Sequence, residues 1–203
     1  MGVFKMEKIM SKLVIIVPVS RPEFVPIIEA YHFFMLDSIN HRYVNNWIDI
    51  NIIFDVGMPP SGANIRQKYL EEYRGEDVYL HWLDDDNLVS PESLEFVYDE
   101  ISKPFNPQVF MLGQIWWASG PKRLNATPEN CKPCQCDVAQ LFVHASLLDD
   151  INWGDRYEND GDFIQELYSK HPDKFSFNND VNVWYNALRP NQGLYEGQIK
   201  LIA

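Results

Sequence analysis

Three consecutive carboxylates, Asp84-Asp85-Asp86, follow directly on the apolar stretch Val78 to Leu83. Like charges this close repel, so the folded chain must set something of opposite sign against them. A divalent cation is one answer. Mg²⁺ and Mn²⁺ prefer oxygen ligands and commonly join one or two carboxylates to diphosphate oxygens, neutralising the charge that a departing diphosphate carries. The plainer reading is a solvated acidic turn that caps a helix starting at Pro91. A second cluster is sulfur: Cys131, Cys134 and Cys136, in a C-x-x-C-x-C pattern. Zinc would need a fourth ligand there, and the nearest candidate, His144, sits in an apolar stretch, so free thiols in a loop fit better. An odd, clustered set of cysteines also speaks against a secreted disulfide framework.

The segments around these residues have readable periods. Leu13 to Val17 is a β-branched run stopped by Pro18, which predicts a strand buried on both faces. Arg21-Pro22-Glu23 opens a helix with Phe24, Ile27, Ile28, Tyr31 and Phe34 at helical spacing. A second strand spans Ile48 to Phe54 and ends at Asp55; after a Pro-Pro-Ser-Gly loop comes a helix carrying Ile65, Tyr69, Leu70 and Tyr73, with Gly75 as its C-terminal cap. The third strand, Val78 to Leu83, runs into the aspartates. Ser90-Pro91 then caps and opens a helix with Leu94, Val97, Tyr98 and Ile101 buried, and a fourth strand covers Val109 to Trp117. This alternation predicts an α/β sheet with parallel strands, and such sheets bind ligands at their carboxyl edge. Pro18, Asp55 and Asp84 all fall on that edge. Farther on, Ala118 to Gln135 reads as a long loop, Ala139 to Val143 as a short strand, Gly161 to Lys170 as a helix and Phe175 to Trp184 as extended chain.

Size and composition set outer bounds. A chain of 203 residues fits one domain, and 46% hydrophobic with 14% aromatic residues supports a core and excludes a disordered chain. A net charge of -12 argues against general affinity for nucleic acid or an anionic membrane. No apolar run approaches the roughly 20 residues of a membrane span, and the N-terminal segment lacks the apolar core of a signal peptide. A cytoplasmic protein, or a domain cut from a longer chain, is expected.

Five segments in order resemble the GT-A nucleotide-sugar glycosyltransferases, especially the family-2 group: Val17-Pro18-Val19-Ser20-Arg21-Pro22, Ile53-Phe54-Asp55, Gly62-Ala63-Asn64-Ile65-Arg66, Leu83-Asp84-Asp85-Asp86-Asn87, and Trp153 to Phe163 with its acidic run. The resemblance covers Leu13 to Leu167. It implies the GT-A fold, a mostly parallel mixed sheet flanked by helices, in one domain. The nucleotide-binding half would span about 12–118 and the acceptor and catalytic half about 119–203. It implies transfer of a sugar from a UDP-sugar to a hydroxyl of a glycan or other acceptor, with inversion and with Mn²⁺ or Mg²⁺ as cofactor.

The same resemblance distributes roles. Pro18, Ser20, Arg21 and Asp55 belong to the nucleotide pocket, with Arg66 near the base or phosphates and Asp85 assisting. Asp84 approaches the ribose and the metal, and Asp86 is the principal metal ligand, with His171 a further candidate. Asp160 takes the proton of the acceptor hydroxyl, with Glu158 and Asp162 as competitors. Trp153 and Trp117 offer aromatic faces to an acceptor sugar. Two positions depart from the family pattern: Val56 stands where a second acid is usual after Asp55, and Asn159 where Glu often precedes the base. A retaining transferase and a catalytically silent binding module remain alternatives. A nucleotidyltransferase is disfavoured, because no Gly-rich, Lys-containing phosphate loop follows the first strand.

Overall fold

The β-branched run becomes β1 (Lys12–Pro18), whose side chains alternate between two cores. Leu13, Ile15 and Val17 face one and Val14 and Ile16 the other, so the strand is covered on both sides. The computed structural model describes residues 12–42, 49–56, 62–101, 108–117, 120–154 and 159–189.

β1 pairs in parallel with β2 (Asp49–Asp55) on one side and β3 (Val78–Trp82) on the other. The pairing brings Pro18 level with Asp55, and the aspartates emerge one residue past β3. The fourth strand on the expected list is displaced from β3. Between β3 and β5 (Val109–Trp116) lies β7 (Leu141–His144), antiparallel to both. β8 (Phe175–Tyr185) runs parallel to β5 and pairs at its far end with the two-residue β4 (Leu88–Val89), while β6 (Lys122–Leu124) pairs with β5. The sheet order is β2-β1-β3-β7-β5-β8-β4. Strands β1, β2, β3, β5 and β8 share one direction, so the sheet is mixed but mostly parallel, and segments from both halves of the chain interleave in it.

Helices cover both faces. α1 (Val25–Arg42) and α3 (Pro91–Ile101) pack on the first core, α2 (Ala63–Tyr73) and α4 (Asn159–Lys170) on the second. The Ser90 hydroxyl accepts the Ser93 N–H at 3.1 Å, the cap that its sequence position predicts. Gly75 takes a φ of 76°, as a residue ending α2 must.

Three local expectations change. The buried face is Phe24, in the turn before α1, then Ile28, Tyr31 and Met35 on α1; Phe34 lies on the other side and is 70% exposed. Spacing alone admitted it, but the row that meets the sheet is one position over. The short strand expected from Ala139 begins at Leu141, because Asp137 and Gln140 form a capping box that holds Val138 to Gln140 in a tight turn. The segment read as a structureless loop contains β6 and a turn at Pro128 to Asn130. The Met58-Pro59-Pro60-Ser61 loop lies outside the described residues.

That long connection is pinned against α4. A Cβ added to Gly161 would stand 2.3 Å from the Pro133 Cα, so backbone touches backbone there. Gly161→Ala is therefore expected to lower unfolding free energy by about 1–3 kcal/mol, the range for overpacking. Urea denaturation checks this, and a midpoint equal to the parent's would contradict the contact.

Candidate active site

The carboxyl ends of β1, β2 and β3 converge on one rim, and α4 brings Asp160 to it. Each carboxylate there has a defined partner. Asp85 turns back toward the end of β1. Its Oδ2 accepts the backbone N–H of Ser20 at 2.6 Å and of Arg21 at 2.7 Å, and the Ser20 hydroxyl at 2.9 Å. Its Oδ1 accepts Nε of Arg21 at 3.0 Å and also Nη2. With 2% of its surface exposed, Asp85 is a buried clamp on the turn after β1.

Asp86 is equally buried, and its Oδ2 accepts Nη1 of Arg21 at 3.0 Å and Nε of Arg189. Arg189 is brought there by the chain leaving β8. The Leu188 N–H donates to the Asp86 carbonyl at 3.1 Å, and the Asn186 N–H to the Asn87 side chain at 2.9 Å.

Asp84 faces the opposite way, toward α2. Arg66 reaches from that helix with Nη2 on Asp84 at 2.5 Å and Nη1 on Asp160 at 2.7 Å, so one guanidinium joins the β3 aspartates to α4. Burial works against its charge, but Asp160 and Asp84 override this and hold its pKa above the ordinary value. Its Cζ lies over the Trp153 ring, 5.2 Å from the centroid. Two buried donors at this corner, Arg66 Nε and Trp153 Nε1, have no hydrogen-bond partner among the described residues. Unsatisfied buried donors are uncommon and mark places where a water or ligand belongs.

Asp160 and Asp84 are both perturbed upward. Burial pushes the pKa of Asp160 up to about 6; Arg66 opposes, Asp137 and Asp84 push further up, and the Val138 N–H at 3.4 Å opposes weakly. Asp84 is raised by burial first, with Arg66 opposing and Asp137 and Asp85 adding. Asp137 itself is held by Arg123 at 3.0 Å and caps its own turn through the Ala139 N–H.

The other expected residues fall at varied places. Asp55 receives Lys68 Nζ at 2.7 Å and Tyr69 Oη at 3.0 Å on one oxygen, Oδ2; the Lys68 bond chiefly, with help from Tyr69, keeps its pKa low against some burial. Pro18 packs beside Gly62, where a Cβ would come within 3.1 Å of it. Trp153 is 7% exposed and stacks on Phe163 at 4.2 Å, so it supports Arg66 from within the core. Trp117 is half-buried with its ring 3.9 Å from that of Trp184. Asp162 sits in the first turn of α4. Glu158 lies outside the described residues. His171 starts the turn after α4 and donates its N–H to Leu167. His144 faces Asp77 at 3.1 Å. Cys131 and Cys136 are buried, their thiols pushed up to about 12 chiefly by burial, while Cys134 is exposed. Arg189, Asp137 and Arg123 carried no sequence signal, because no recognisable motif surrounds them.

The carboxylates expected to hold a divalent cation have arginine partners in this structure. Asp85 is filled by five donors and the Oδ2 of Asp86 carries two arginines, while Asp84 keeps the most exposure of the three, 38% of its side chain. Among the described residues, no three His, Cys, Asp or Glu side chains are grouped to hold a metal. The repulsion within the acidic triplet is met by arginines.

No protein-family model matches the sequence, and no curated protein matches it. Among solved structures, the chain is similar to residues 1–349 of S. aureus TarS. The identity is 14% and the TM-score 0.50, over 78% of this chain and 55% of that one. It thus spans about half the length of that structure. A glycosyltransferase involved in the glycosylation of the major capsid of PBCV-1 also matches, at 14% identity and a TM-score of 0.43, over 81% of this chain and 80% of that one. The likeness to TarS establishes the fold: a mixed α/β sheet flanked by helices. No helix among the described residues is long and apolar enough to cross a membrane.

Asp85→Ala would leave Arg21 and two backbone N–H groups without their acceptor. Unfolding free energy is expected to fall by about 2–4 kcal/mol, somewhat below the range for a fully buried pair because Arg21 is partly exposed. Denaturant titration measures it; a change under about 0.5 kcal/mol, the size of a surface substitution, would contradict the clamp.

Proposed function

We propose that this protein transfers a sugar from a nucleotide-sugar donor, most simply a UDP-sugar, to an acceptor hydroxyl, with inversion and with Asp160 as general base. The observation that carries this reading is the Asp84–Arg66–Asp160 bridge. It sits at the carboxyl edge of the sheet, where α/β folds bind nucleotides, and contains a carboxylate poised near pH 6. The five-segment resemblance and the fold shared with TarS support the same assignment.

In this scheme the base of the nucleotide lies between Pro18 and Asp55. Lys68 and Tyr69 fix one oxygen of Asp55, so the carboxylate is oriented to accept an N–H of the base. Ser20 and Arg21, held by Asp85, form the floor beneath the ribose and phosphates. Asp160 accepts the proton of the acceptor hydroxyl as that oxygen bonds to the anomeric carbon. The bond from this carbon to the diphosphate breaks on the opposite face, which inverts the centre. Arg66 holds Asp160 in place and offsets its charge. No metal step enters, because the carboxylates that the sequence assigned to a cation are already paired. A cytoplasmic location is part of the proposal.

The pH dependence has a defined sign. A base must be unprotonated, so activity should rise with pH through an apparent pKa near 6 and level off above it. Stability runs the other way for this group. The folded protein keeps a proton that the unfolded chain releases above about pH 4, so Asp160 favours folding at low pH and that contribution is lost as pH rises through about 6.

The test is release of nucleoside diphosphate from a panel of nucleotide sugars with glycan acceptors, followed from pH 5 to pH 8. Asp160→Asn is expected to lower kcat by about 10²–10⁴-fold, the range for losing a general base, with little change in donor affinity. Full activity in Asp160→Asn would remove the base assignment, and product of retained configuration would remove the inverting scheme.

A further inference from the structure

We infer that the diphosphate of the donor is held by the guanidinium groups of Arg21 and Arg189, and that donor binding needs no divalent cation. The inference rests on the nucleotide-sugar reading of the site and goes beyond it by naming the cationic element.

Both arginines stand on buried carboxylates and turn outward. The Asp85 and Asp86 side chains are each 3% exposed, whereas those of Arg21 and Arg189 are 28% and 49% exposed. The acids thus form the inner layer and the guanidiniums the surface. Arg21 spends its Nε and one hydrogen on each terminal nitrogen on Asp85 and Asp86. A guanidinium has five N–H donors, so two remain beyond these bonds, on a side chain that is partly exposed. Arg189 is anchored on Asp86 through Nε. Its planar fork suits an oxyanion of a phosphate better than a single ammonium would.

The pairing points the same way. Asp85 and Asp86 are met by Arg21 and Arg189, while Arg66 is shared between Asp84 and Asp160. A divalent cation at Asp86 Oδ2 would have to displace two guanidiniums from a buried acceptor, and one at Oδ1 would stand beside them. Breaking such pairs leaves buried charges uncompensated, which is costly. A diphosphate instead meets fixed cationic donors that need no rearrangement, the arrangement that favours a charge developing on a leaving group. The anchoring also explains why the chain after β8 returns to this rim: the Leu188 and Asn186 backbone bonds deliver Arg189 beside Arg21.

The experiment is calorimetric titration of the full chain with UDP, GDP, ADP and dTDP, each in EDTA and in Mn²⁺, and with the corresponding nucleosides. The expected result is at least one diphosphate whose Kd in EDTA lies within about threefold of that in Mn²⁺. Arg189→Gln should weaken that diphosphate about tenfold or more, the worth of a charge-assisted bond, while leaving its nucleoside unaffected. Thermal melting of the variant, whose side chain is half exposed, verifies that it folds. Binding that appears only with Mn²⁺ and vanishes in EDTA would overturn the arginine clamp and leave the nucleotide-sugar reading standing. An unchanged Kd in Arg189→Gln would also overturn the clamp. Failure of every diphosphate and nucleoside to bind under both conditions would overturn the clamp together with the reading on which it rests.

Discussion

Crowding of negative charge at one rim of the sheet is the constraint around which the molecule is organised. Asp84, Asp85, Asp86 and Asp160 meet there, in a chain that is already acidic overall. Isolated carboxylates could not be buried this way, because desolvation would protonate them or unfold their surroundings. Arginines from three separate parts of the chain make the burial possible: Arg21 after β1, Arg66 on α2 and Arg189 after β8. The ion pairs therefore act as ties between elements. They join β1 to β3, α2 to α4, and the end of β8 to the turn after β3. Buried pairs are weak evidence of net stabilisation, but removing one partner is severe, and that asymmetry makes them effective at fixing one arrangement.

The packing around these ties has the same purpose. Arg66 is clasped by an aromatic stack in which Trp153 lies parallel to Phe163 and edge-on to Trp82. The backbone N–H of Trp153 is in turn held by the side chain of Gln67, the next residue of α2, at 2.7 Å. A helix and a loop from distant parts of the sequence thus share one rigid corner. Lysine could not replace Arg66, since a point charge cannot present two terminal nitrogens to two separate carboxylates while its stem lies over a ring.

Much of this was legible in the residues and part of it could not be. The strand β1 was readable because five consecutive apolar residues before Pro18 leave no polar face, and the Ser90-Pro91 helix start because its cap has a local chemical cause. The gathering of Pro18, Asp55 and Asp84 followed from strand direction alone, and the pairing of β1 with β2 and β3 realises it. The insertion of β7 between β3 and β5 was hidden, because the pairing partner of a strand is set by nonlocal packing and leaves no mark on the strand's own pattern. The two residues of β4 are too few to show any period. Arg189 was invisible for a different reason: it lies 103 positions from Asp86, and only the path of β8 brings them together. The acidic triplet itself was correctly read as demanding a counter-charge. Sequence offered no means of choosing between a bound cation and arginines from elsewhere, because the two satisfy the same electrostatic demand.

That equivalence bears on how the three aspartates divide their labour. Successive residues of an extended turn point different ways, so a triplet cannot converge on one ion without bending sharply. Here the directions are used separately. Asp84 looks to α2 and α4, Asp85 back to the turn after β1, and Asp86 to the chain after β8. Asp84 keeps the most exposure and shares Arg66 with Asp160, so the charge state of each depends on the other. A proton gained by Asp160 weakens its hold on Arg66 and leaves that guanidinium more fully to Asp84. The bridge therefore links the protonation of Asp160 on α4 to the charge state of Asp84 after β3.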